Sequence, residues 1–93
     1  MPNLLVVDDD KLILDSFRFA FAPENVSIES ASTAAEALEK FQHNEFDAVV
    51  TDIQLPDSSG MQLLRDLQGI DFRVPVILMT GYGTANTAIE AMR

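Results

Sequence analysis

The chain has 93 residues, enough for one small domain, and an apolar share of 47% that suits a packed core. No apolar run approaches the roughly 20 residues that a membrane-spanning helix needs; no basic stretch precedes an apolar one near Met1, so no secretory signal is visible; the lack of cysteine excludes disulfides and thiolate metal sites, and a cytoplasmic location is expected. The formal net charge of −9 argues against direct contact with nucleic acid, and fits divalent cations and basic protein surfaces.

Residues 3–7 (NLLVV) form an unbroken apolar run that stops at Asp8, Asp9 and Asp10. Such runs suit a strand buried on both faces of a parallel sheet. From Lys11 the spacing turns helical, with Leu14, Phe17 and Phe21 flanked by Ile13 and Ala20. Asp10 is the expected N-cap, and Pro23 with Asn25 ends the helix. Residues 26–30 (VSIES) alternate as a second strand. Thr33 and Glu36 have capping-box spacing and open a helix through Ala37 and Phe41 to about His43. Residues 48–51 (AVVT) make a third strand that ends at Asp52. Leu55 to Gly60 (LPDSSG) is loop chemistry. Met61, Leu64 and Leu67 place a third helix over 61–68, with Gly69 as its expected C-cap. Residues 75–79 (PVILM) form a fourth strand ending at Thr80. Gly81 and Gly83 make a loose connection, and residues 85–93 begin a fourth helix. Regular alternation of strand and helix implies an α/β chain with a parallel sheet, right-handed crossovers and a single domain over residues 1–93.

Sites in such sheets form at the carboxyl ends of the strands. Here the first strand delivers Asp8 and Asp9, the third Asp52 and the fourth Thr80. With the first and third strands adjacent, three carboxylates converge. Like charges a few ångströms apart raise one another's pKa, and desolvation adds to the effect. A divalent ion relieves both, and all-oxygen ligation with open positions suits Mg²⁺. Phosphoryl transfer needs an in-line nucleophile and cations on the equatorial oxygens, and a carboxylate serves as such a nucleophile. Taken singly, each residue has an ordinary reading: paired acids cap helices or sit in solvated loops, and a strand-end Thr is common. The joint placement carries the chemistry. His43, the only histidine, reads as a surface cap; Phe17, Phe21 and Phe41 read as core. The Gly81-Tyr82-Gly83 run lacks the glycine spacing and lysine of a phosphate loop.

Three stretches, LLVVDDD, DAVVTDIQLPDSSGMQLL and VPVILMTGYGT, resemble the first, third and fourth strand motifs of the response-regulator receiver domains of two-component signalling. The resemblance implies a flavodoxin-like, doubly wound sheet of strand order 2-1-3-4. It implies a domain that assists its own phosphorylation and dephosphorylation and is not an enzyme acting on an outside substrate. Asp52 would accept a phosphoryl group from a sensor histidine kinase, in a Mg²⁺-dependent transfer. Asp9 and Asp52 would ligate the metal directly, Asp8 mainly through water, and the backbone carbonyl of Gln54 would be a third protein ligand. Thr80 would be the hydroxyl that binds the phosphoryl group. Pro56 and Gly60 match the family's loop after the acceptor strand. The run GYGTANTAIEAMR is most similar to receivers fused to sigma-54-type transcriptional activators.

The pattern departs from the family at its end. Receivers carry a fifth strand and helix, with a Lys-Pro pair and a switching aromatic residue, and these lie beyond Arg93. Expectations follow: the domain is incomplete, the fourth strand is an open edge, uncovered apolar surface favours a homo-oligomer, and phosphorylation-driven switching is impaired while Mg²⁺ still binds. Two rival readings stand beside this one. A haloacid-dehalogenase-like phosphatase would use Asp8 as nucleophile and Asp10 as general acid, although Leu12 departs from that signature and the Asp52 motif goes unexplained. A chemically silent structural fragment is the other.

Overall fold

The computed structural model describes residues 1–79; Thr80, the Gly81 and Gly83 connection and the expected helix over 85–93 lie outside the described residues. The chain runs β1 (Asn3–Val7), α1 (Lys11–Phe21), a short 3-10 turn (Ala22–Glu24), β2 (Ser27–Ala31), α2 (Ala34–His43), β3 (Ala48–Asp52), α3 (Gly60–Ile70) and β4 (Val76–Met79). The strands form one sheet in the order β2-β1-β3-β4, and every pairing is parallel.

Period-two alternation along the strands divides the core in two. Leu5, Val7 and Val49 face one side, where they meet Ala34, Ala37 and Phe41 of α2 and Leu63 and Leu67 of α3. Leu4, Val6, Ala48 and Val50 face the other, against Phe17 and Phe21 of α1. Both faces of β1 and β3 are thus covered, which is why these strands read as continuous apolar runs. The sheet is doubly wound, as expected.

Helix starts follow local chemistry. Asp10 accepts from the Leu12 N–H at 2.9 Å, and Ser59 accepts from the Gln62 N–H at 3.1 Å to start α3. Thr33 accepts from the Glu36 N–H at 3.1 Å. The Glu36 carboxylate returns to the Ser32 N–H at 2.7 Å, one residue before the N-cap, a variant of the capping box. Asn25 adopts a left-handed conformation (φ 54°) after the turn that contains Pro23. His43 lies at the end of α2, its Nδ1 2.8 Å from the Glu39 carbonyl.

The bounds of β2 and α3, and the buried face of α3, differ from the sequence expectation. β2 starts one residue later, because the sheet register is set by Asn3 against Ser27 and by the Ser27 N–H donating to the Pro2 carbonyl. Gly69 is not the C-cap of α3. The helix continues to Ile70, and the chain leaves it at Asp71, whose carboxylate accepts from the Arg73 N–H at 3.1 Å. An aspartate turn therefore ends the helix in place of a left-handed glycine. The buried stripe of α3 is Gly60, Leu63 and Leu67, while Leu64 is half-buried and Met61 exposed.

Phe17 and Phe21 stack with centroids 6.2 Å apart under β1 and β3. Phe21 is 1% exposed and Phe19 is 85% exposed. Phe21→Ala is therefore expected to cost about 3–5 kcal/mol, and Phe19→Ala to stay within about 0.5 kcal/mol of wild type. Urea denaturation of the two variants checks the contrast.

Candidate metal centre

The order β2-β1-β3 places the topological switch between β1 and β3. Val7 pairs with Thr51, so the residues that follow each strand emerge side by side. Asp8, Asp9 and Asp52 meet there, each offering a carboxylate oxygen within 4.8 Å of the others. Octahedral Mg²⁺ at about 2.1 Å from its ligands sets neighbouring oxygens about 3 Å apart and opposite ones about 4 Å apart. An upper bound of 4.8 Å on the mutual distances is close to the span of such a sphere, and the donors are all hard oxygens. The residues present fit a hard divalent cation.

The three acids are held differently. Asp8 is 4% exposed. Its N–H donates to the Ala31 carbonyl at 3.0 Å, and its Oδ1 accepts from the Asp10 N–H at 2.8 Å. Burial pushes the Asp8 carboxyl above the ordinary carboxylate range; the Asp10 N–H pulls it back, and the charges of Asp52, Asp9 and Asp10 push it up again. Asp9 is exposed and Asp52 is half-buried at the end of β3. Beneath Asp52, Thr51 is fully buried and its Oγ1 donates to the Asp52 carbonyl at 3.0 Å. Asp10 does not join the cluster; its side chain is committed to the first turn of α1. That commitment removes the second acid that a phosphatase built on Asp8 would need. Among the described residues the one ion pair joins Arg73 to Asp71, far along the chain, and no cation neutralises the cluster.

The loop after β3 is closed on itself. Gln54 and Ser59 form an antiparallel bridge. Its two hydrogen bonds run from the Leu55 N–H to the Ser58 carbonyl at 3.1 Å and from the Gly60 N–H to the Ile53 carbonyl at 2.7 Å. Gln54 and Ser59 are thus a pair that exchanges no hydrogen bond between its own two members. The bridge spends the carbonyls of Ile53 and Ser58 and leaves that of Gln54 outside it. Gly60 sits so close to β3 that a Cβ there would lie 2.2 Å from the Asp52 carbonyl oxygen. Only a residue without a side chain fits.

Sequence reasoning missed Asp57. Its carboxylate accepts from the Ala34 N–H at 2.8 Å and the Ala35 N–H at 3.0 Å, tying the loop to the start of α2. These two N–H groups hold the Asp57 carboxyl below the ordinary range. The contact spans 22 or 23 residues, and a lone Asp in a Pro-Asp-Ser-Ser loop carries no sequence mark of it.

A parallel sheet wound on both sides, with three acids at its switch point, is the arrangement that the resemblance to receiver domains implies. The model of the response regulator receiver domain matches residues 4–93, and the chain belongs to that family. It is 34% identical over 91 residues to the regulatory protein AtoC of Escherichia coli, covering 98% of this chain and 20% of AtoC. It is 32% identical over 96 aligned positions to the transcriptional regulatory protein FixJ of Azorhizobium caulinodans, covering 100% of this chain and 46% of FixJ. The fold is similar to the crystal structure of a receiver domain protein from Clostridium thermocellum, with a TM-score of 0.80 and 35% identity over 99% of this chain and 75% of the other. The chain therefore has the phosphoacceptor role of its class.

Two expected outcomes follow from this geometry. Asp8 binds its proton more tightly in the fold than in the unfolded chain, so its contribution favours the fold below the ordinary carboxylate range and is lost as pH rises through the raised value. Metal-free Asp8→Asn protein should melt higher than wild type at about pH 7, with the gap closing as pH falls toward about 4; thermal melts across that range in a chelator check it. Gly60→Ala forces apart the start of α3 and the end of β3, an overpacking cost of about 1–3 kcal/mol or more, read by urea denaturation.

Proposed function

We propose that Asp52 is the phosphoacceptor and that the acid cluster binds Mg²⁺, with Asp9 and Asp52 as direct ligands, Asp8 acting mainly through water, and the Gln54 carbonyl as the third protein ligand. The observation that carries the reading is the gathering of the Asp8, Asp9 and Asp52 oxygens within 4.8 Å at the switch point. Support for Gln54 comes from the bridge that leaves its carbonyl uncommitted. When bound, the cation neutralises the cluster and the charge on the equatorial phosphoryl oxygens.

The rest falls to the chain. One Asp52 carboxylate oxygen attacks phosphorus in line. The P–O bond forms as the P–N bond of a phosphorylated imidazole breaks, and the electron pair stays with the leaving nitrogen. The donor is a sensor histidine kinase. Thr80, which follows β4 and lies outside the described residues, is the proposed hydroxyl for a phosphoryl oxygen. By similarity to the transcriptional regulatory protein FixJ, the whole protein is read as a transcription regulator. Among the described residues β4 pairs only with β3. Its other edge offers hydrogen-bonding groups to a second copy, an association that a charge of −9 on each copy opposes.

Acetyl phosphate with Mg²⁺, followed by intact mass, tests the assignment. Wild-type protein should gain one phosphoryl group and Asp52→Asn none. A label on Asp8, as the phosphatase reading requires, would overturn it. In a calorimetric titration, Asp9→Asn should weaken Mg²⁺ binding at least about tenfold, the loss that even outer partners of a metal site bring.

A further inference from the structure

We propose that Asp57 is a positioning residue for the metal pocket: by fastening the loop between β3 and α3 to the N-terminus of α2, it holds the Gln54 carbonyl in place for a divalent cation. The inference rests on the Mg²⁺ reading above and adds a residue to it.

The loop has a firm root and a firm tip. At the root, Leu55 is buried in the core shared with α2 and α3, and the Gly60 N–H is bonded to Ile53. At the tip, Pro56 restricts the backbone, and Asp57 uses both carboxylate oxygens, one on Ala34 and one on Ala35. The helix has caps of its own. Thr33 satisfies the Glu36 N–H, and Glu36 satisfies the Ser32 N–H. Asp57 takes the two first-turn donors that those residues leave, and it brings its charge to the positive end of the helix.

The contact also completes a circuit around the pocket. On one side, the Asp8 N–H is bonded to the Ala31 carbonyl at the end of β2. Three residues later α2 begins, and Asp57 leads from it back to the loop that follows Asp52. The walls that carry Asp8 and Gln54 are thus fixed to the same helix start. A loop freed at its tip spends part of its time with Gln54 elsewhere, and apparent affinity falls by the fraction of molecules that remain competent.

The test compares wild type, Asp57→Ala and Thr33→Ala in Mg²⁺ titrations by calorimetry, with amide hydrogen exchange at Leu55 measured in the metal-free proteins. Thr33→Ala removes a cap from the same helical turn without touching the loop. Asp57→Ala should weaken Mg²⁺ binding about 3- to 10-fold and speed exchange at Leu55. Thr33→Ala should lower the melting temperature and leave both readouts at wild-type values. Unchanged affinity in Asp57→Ala would overturn the proposal, as would an equal loss in Thr33→Ala, since the effect would then belong to α2 as a whole. If wild type binds no Mg²⁺, or Asp9→Asn binds as well as wild type, the metal reading itself falls, whatever residue 57 does.

Discussion

The direct pairing of β1 with β3 is the constraint on which the rest depends. Four consecutive residue pairs, from Leu4 with Ala48 to Val7 with Thr51, set the two strands side by side and level at their ends. Because β2 is sent to the outside, acids separated by more than forty positions in the chain emerge as neighbours. Burial of Leu4, Leu5, Val6 and Val7 against Val49 and Val50 supplies the apolar free energy that holds this register. The mutual repulsion of the acids opposes it only at the rim. A site of like charges is tolerable because the strands beneath it are the best-buried part of the molecule.

The parts of the fold legible in the sequence were those governed by local periodicity and capping. Residues 3–7 and 48–51 read as strands because both faces are buried. Asp10, Thr33 and Ser59 start helices with bonds inside four residues of chain, and the first two were readable for that reason. Strand order was legible through the resemblance, and the convergence of Asp8, Asp9 and Asp52 followed from it. Other features were hidden because their causes are tertiary. The rotation of α3, which buries Leu63 in place of Met61, follows from the contact of Gly60 with the end of β3. The end of that helix is decided by Asp71, although Gly69 is the stronger local signal. Asp57 was invisible because its partners belong to another βα unit.

Rigid elements and short connections divide the labour at the carboxyl end of the sheet. The strands fix where Asp8 and Asp52 leave the core, and the connections decide which atoms face the space between them. The link after β1 turns Asp10 away to α1 and bends the Asp8 side chain under the Asp10 N–H. The link after β3 folds into a bridge that keeps the Gln54 carbonyl out of its own hydrogen bonds. Neither arrangement needs a strained backbone; among the described residues the single left-handed non-glycine residue, Asn25, lies after α1 and away from these links.

The two borders of the sheet are chemically unequal. β2 carries Glu29 between Ile28 and Ser30, and Lys40 from α2 covers its Ser30 carbonyl. β4 is the uncharged run Val76–Met79. Charged side chains discourage a neighbouring strand and apolar ones admit it. Among the described residues, a strand approaching β2 would therefore meet a carboxylate and an ammonium, whereas one approaching β4 would meet apolar side chains alone.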